Sequence, residues 1–220
     1  MHCSRKLDAH STAGDSRTVD SGFGIHGANF LREGTSRLGG RTVYHLLDTT
    51  CATHKYVTHS DFASELLAAT TAADHLVPMA TTLHEFAHGP LSQSEDRRLR
   101  EEGGLSYRAA LTIGTRSIFT AIAAATAHTA HEEGLARHLS WLGDLFRTGV
   151  FSELVCVDLH DMTAGGHTSG AVSRRHLLDL MKGTFQFRHA ARTHPVRSPG
   201  VAYLLPGDRI GSVTGSSSAQ

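Results

Sequence analysis

The stretch FASELLAATTAADHLVPMATTLHEFAH, from Phe62 to His88, constrains this chain more than any other segment. Its alanines and leucines recur at helical spacing, Ser60 or Asp61 can cap its start, and Gly89-Pro90 stops it. A helix of that length, with a small-residue apolar stripe, has to lie against something broad and flat. A sheet is the natural partner, and strand-like segments occur on both sides of it in the sequence.

Before the helix, TVDSGFG (Thr18 to Gly24), GGRTVYHLL and HKYVTHS combine β-favouring runs with glycine punctuation, which predicts an antiparallel meander. After it, SQSEDRRLREEGG is charged in both signs and reads as a solvated connection. YRAALTI (Tyr107 to Ile113) then reads as a buried strand, TRSIFTAIAAAT as a short helix and EGLARHLSWLGDLFRTG as an amphipathic helix. FSELVCVDL reads as another strand, and a last helix is expected near SRRHLLDLMKG. Three strands, helix, strand, helices, strand, helix predict an α/β domain with a mixed sheet flanked by helices. Residues 1–16 and 186–220 lack periodicity and are expected to be a weakly ordered start and a C-terminal tail, leaving 17–185 as the domain.

Composition narrows the function without naming it. The chain has 220 residues, enough for one core, and its 21 Lys+Arg balance 21 Asp+Glu, so no overall basic field announces a nucleic acid. Cys3, Cys51 and Cys156 are odd in number and far apart, which argues against a disulfide framework and fits a reducing, intracellular setting, cytoplasmic or nuclear. No apolar run is long enough to span a bilayer, so no membrane partner is expected.

Several short strings, taken in order, resemble the ribonuclease H-like domain of copia-type retrotransposon Pol polyproteins over roughly Asp20 to Gly183. SDFASELLAA resembles a segment in which a helix sets a catalytic Glu against the sheet, and Glu65 falls on that position. LTIGTRSIF resembles the strand end that carries an Asp. AGGHTSGAVSR (Ala164 to Arg174) resembles the Ala-Asp-x-Leu-Thr-Lys-Gly ending.

The resemblance implies a mixed sheet of three antiparallel strands followed by parallel ones, and a two-metal site. There Mg²⁺ ions held by carboxylates activate water to cleave the RNA of an RNA–DNA hybrid, beside an adjoining reverse transcriptase domain. This sequence departs from the pattern. Gly114 stands at the strand-end Asp, Gly165 at the Asp of the ending, and Ser169 at its Lys. The first-strand carboxylate is Asp20 on one alignment, whereas another puts Gly24 there. Glu65 and Asp20 are therefore the candidate catalytic and metal-binding residues of an impaired enzyme, and a non-catalytic interaction or structural remnant is the alternative.

A rival motif is His84-Glu85-Phe86-Ala87-His88, an HExxH string whose histidines lie one helical turn apart, as in a zinc metalloprotease. With 17 His in the chain such a string arises readily by chance, the helix ends directly after it, and no third ligand is evident. Asp158, His160, Asp161 and His167, after a predicted strand, could partly replace lost ligands, although a polar strand-to-helix loop is the simpler reading.

Overall fold

The computed structural model describes residues 9–13, 17–18, 23–38, 41–57, 60–124, 133–165 and 175–195. In chain order these form β1 (Ala9–Ala13), β2 (Arg17–Thr18), β3 (Phe23–Leu38), β4 (Arg41–Val57), α1 (Asp61–His88), α2 (Gln93–Glu102) and β5 (Ala109–Ile113). They continue with α3 (Arg116–Ala123), α4 (Glu133–Arg147), β6 (Phe151–Cys156), a 3-10 turn (Leu159–Asp161), α5 (Arg175–Met181) and β7 (Arg192–Pro195).

The strands make one mixed sheet in which β3, β1, β5, β6 and β7 lie side by side, with β4 on the outer edge of β3. β4, β3 and β1 pair antiparallel, β1, β5 and β6 run parallel, and β7 returns antiparallel along β6. β4 occupies one edge of β3 from Phe23 to Leu38, so β1 and β2 share the other edge.

This arrangement corrects the expected order of strands. The centre of the sheet is shared by β5, from the Tyr107 to Ile113 run expected there, and by β1, which lies inside the stretch 1–16 expected to be weakly ordered. Its sequence, Ala-His-Ser-Thr-Ala, has no large apolar alternation; the strand forms because β3 and β5 pair with it on both sides, a non-local cause that a pattern search does not register. GGRTVYHLL and HKYVTHS are parts of one strand, β4, because its long pairing with β3 runs through the threonines between them. GANFLREGTSRL, to which no strand was assigned, belongs to β3, and β7 lies within the expected tail.

α1 starts as its sequence requires, with Ser60 Oγ accepting from Ala63 N at 3.1 Å, and ends at Gly89, whose φ of 95° suits a residue without a β-carbon. Its stripe of Ala63, Leu66, Ala69, Ala73, Leu76 and Ala80 is buried, and the small alanines let it lie close across β1, β3 and β5. α3 and α4 complete that layer over Phe30, Leu111, Ile113, Phe151 and Leu154. The opposite face of the sheet is covered by the C-terminal part of the chain: Met162 and Ala164 on Val155 and Val157, and Leu180, Phe185 and Phe187 on Leu31 and Tyr44.

The charged connection is α2. It is closed by a Ser92/Glu95 capping box and stabilised by i,i+4 ion pairs, Arg97–Glu101 and Arg100–Asp96, with Leu99 its buried residue. Among the described residues no helix is long and apolar enough to cross a membrane.

Two topological facts position the site. The parallel strands β1, β5 and β6 share one end of the sheet for their carboxyl termini, and β4, antiparallel to β3, points to that same end. Ser60 follows Val57 by three residues, a reach of about 11 Å at most. The amino end of α1, with Glu65 in its second turn, therefore stands at the carboxyl end of the sheet.

Candidate functional site

At that end β5 passes into Gly114 and β6 into the turn 157–165, joined by a hydrogen bond in which Val157 N donates to Ile113 O at 3.0 Å. A β-carbon placed on Gly114 would lie 3.0 Å from Met162 Cε and 3.1 Å from Leu159 Cδ2. Gly165 is buried, and its N–H donates to Met162 O at 3.2 Å. Gly114 thus packs against the turn that Gly165 closes. Glu65 is half-buried at this end of the sheet.

Asp20 lies outside the described residues, as do His167 and Ser169. Gly24 sits in β3, opposite Thr18 of β2. Neither alignment of the first-strand carboxylate falls on β1, and Ala9–Ala13 contains none.

The turn itself is built on two buried polar anchors. Asp161, 1% exposed, accepts at Oδ2 from Arg188 N at 2.8 Å and His189 N at 2.7 Å, with His189 Nδ1 3.1 Å away. Its Oδ1 is buried without a hydrogen-bond partner. A buried carboxylate persists only where donors converge on it, and here they come from the C-terminal segment. On the other side, fully buried Asn29 donates from Nδ2 to Thr163 Oγ1 at 3.0 Å and accepts at Oδ1 from Thr49 Oγ1 at 2.9 Å. Asp158, exposed, caps the 3-10 turn by accepting from His160 N at 2.9 Å. Sequence reasoning grouped Asp158, His160 and Asp161 as a polar loop, but it had no signal for Met162 or for Asn29–Thr163, whose partners are 134 residues apart.

This donor set does not fit a pair of Mg²⁺ ions. Hard cations take oxygen ligands, whereas the space beside Gly114 is filled by a thioether and a leucine methyl. Among the described residues no group of three or more His, Cys, Asp and Glu side chains is placed to hold a metal.

The HExxH residues serve the helix end. Ser106 N donates to His84 Nδ1 at 3.1 Å, and Ser106 Oγ lies 3.0 Å from the same nitrogen. Accepting at Nδ1 leaves the proton of the neutral ring on Nε2, so the nitrogen available to a metal is not a lone-pair donor. Burial first, and the charge of His88 next, hold His84 below the usual histidine value, with Glu85 acting in the opposite sense. Glu85 Oε1 accepts from Leu91 N at 3.1 Å, which ties down the chain after the helix.

No family model matches this chain, and no curated protein matches it. Among solved structures it is similar to the NurA nuclease from Sulfolobus solfataricus, with 10% identity and a TM-score of 0.31, over 80% of this chain and 54% of that one. The chain spans about half the length of that nuclease, and a likeness this loose carries no argument about either fold or activity.

Proposed function

We propose that this chain is a degenerate ribonuclease H-like domain of the copia type, impaired in hydrolysis and retaining an affinity for RNA–DNA hybrids. The observation that carries the reading is the packing of Gly114 against Leu159 and Met162, in the turn that ends at Gly165, at the carboxyl end of the parallel strands. Two positions drawn from separate sequence motifs thus fall on adjoining segments at one end of the sheet, as a shared-metal site would require. The strand order, with β1 central between antiparallel β3 and parallel β5, supports it, and so does the start of α1 at the same end of the sheet. The role left to such a domain is to hold nucleic acid beside an adjoining reverse transcriptase, as an interaction module in place of a nuclease.

The test is incubation of the purified chain with a labelled RNA–DNA hybrid and Mg²⁺, alongside a Glu65→Gln variant. The expected result is hybrid binding with no cleavage above that of the variant. Robust Mg²⁺-dependent cleavage that Glu65→Gln abolishes would overturn the proposed impairment.

A further inference from the structure

Resting on that nucleic-acid reading, a second feature of the same sheet end identifies where a strand would be held. Ile113, Cys156 and Arg192 form one rung across β5, β6 and β7. Arg116 opens α3 three residues after Ile113, and α3 packs on β6. Both side chains are exposed, and the charges of both reach the Cys156 thiol, where they oppose the upward pull of burial.

Among the described residues neither of these two arginines has a counter-charge, a condition shared with Arg32 and Arg98, but they alone flank Cys156. Arg97, Arg100, Arg147 and Arg188 each have a carboxylate within 4 Å, whereas among the described residues Arg116 and Arg192 have none. The nearby carboxylates are engaged elsewhere: Asp158 caps its own turn, and Asp161 is turned to the backbone of Arg188 and His189. The first turn of α3 contains no acidic residue. Two unpaired positive charges from separate elements on either side of Cys156 make this end of the sheet locally positive, although the chain's charges balance overall. They stand at the carboxyl end of parallel strands, where open α/β sheets receive ligands.

We propose that Arg116 and Arg192 form a two-guanidinium clamp for a backbone phosphate of a bound nucleic-acid strand. The planar forks of arginine match the paired oxygens of a phosphodiester, and contacts of this kind position a duplex without reading its sequence. Inorganic phosphate offers the same oxygens, so the two sources have to be separated by experiment.

The experiment measures fluorescence anisotropy of a short labelled RNA–DNA hybrid against salt for the parent, Arg116→Gln, Arg192→Gln, the double variant and Arg97→Gln. Arg97 is the control, an arginine already paired with Glu101. Because both arginines hold one phosphate, the double variant should lower the slope of log K against log salt by about 0.7–0.9, and each single substitution by a part of that. At 0.1 M salt that slope corresponds to roughly five- to eightfold weaker binding for the double variant, counted from a 1 M reference. Arg97→Gln should leave the slope unchanged, and all variants should melt with the parent, since the substituted side chains are exposed.

A double variant with the parent's slope overturns the clamp and leaves the nucleic-acid reading intact. Equal losses in Arg97→Gln also overturn it, because binding would then follow net charge alone. A parent that binds no hybrid removes both proposals. If millimolar inorganic phosphate saturates the clamp while hybrid binding is unaffected, the patch serves a free anion and the assignment to nucleic acid fails.

Discussion

The thioether of Met162 ends 3.0 Å from where a β-carbon on Gly114 would stand, with Leu159 Cδ2 at 3.1 Å on the same point. Placing a carboxylate there is therefore a packing problem before it is a metal-binding one. Gly114→Asp should destabilise the chain by about 1–3 kcal/mol through overpacking, read as a lower urea midpoint with unchanged slope. Gly114→Ala combined with Met162→Ala should be tolerated better at position 114 than Gly114→Ala alone, a non-additivity that double-variant melting would expose.

Placing carboxylates at both positions, Gly114→Asp with Gly165→Asp, is expected to give no hybrid cleavage. Carboxylates around shared metals act as a unit, and β1, the interior strand beside β5, supplies none from Ala9 to Ala13. A cleavage assay with Mg²⁺ on the double variant checks this. Measurable turnover in it would show that a carboxylate outside β1 completes the site.

Asp161 should behave as a structural anchor. Asp161→Ala removes the acceptor for Arg188 N and His189 N and is expected to cost roughly 2–3 kcal/mol, whereas Asp161→Asn keeps one oxygen for them and should cost less. Amide exchange offers the local readout: the Arg188 and His189 amides should exchange faster in the alanine variant, with the core of α1 responding only through the global loss.

Asn29→Leu tests the second anchor. It leaves buried Thr163 without its Asn29 partner, and an expected loss of about 1–3 kcal/mol follows, while Thr49, which is exposed, can turn to water. Hybrid binding through Arg116 and Arg192 should weaken less than stability does, because the clamp lies on β7 and α3 and not on β3.

His84 makes the junction between α1 and Ser106 dependent on pH. Its folded value lies below the usual 6.5, chiefly because burial disfavours the charged ring, so the unfolded chain takes up a proton first as pH falls. The stabilising contribution is complete above pH 6.5 and is lost as pH falls from there towards the depressed folded value. Urea midpoints on either side of pH 6.5 should show this loss, and His84→Ala should reduce it. Metal analysis of the parent bears on the HExxH string: stoichiometric zinc lost in His84→Ala would mean that the Ser106 hydrogen bond gives way to a ligand bond.

By itself the sequence determined whatever depends on neighbours along the chain. The spacing of Ala63, Leu66, Ala69 and Ala73, with Ser60 before it and Gly89 after it, specifies α1. The run Ala109 to Ile113, wholly apolar except for Thr112, specifies a strand buried on both faces, and Ser92 with Glu95 specifies the start of α2. Helix periodicity and caps are local, so they are legible without the fold. What only the tertiary structure decided is set by pairs far apart in sequence. Ala9–Ala13 becomes an interior strand beside β5 because β3 and β5 hydrogen-bond it on both edges, and nothing in Ala-His-Ser-Thr-Ala announces that. Met162 fills the space beside Gly114, Asn29 holds Thr163, and Arg192 lands beside Cys156 only after β7 pairs with β6. Those contacts have no sequence period, because their geometry comes from sheet order and register, which the whole chain settles together.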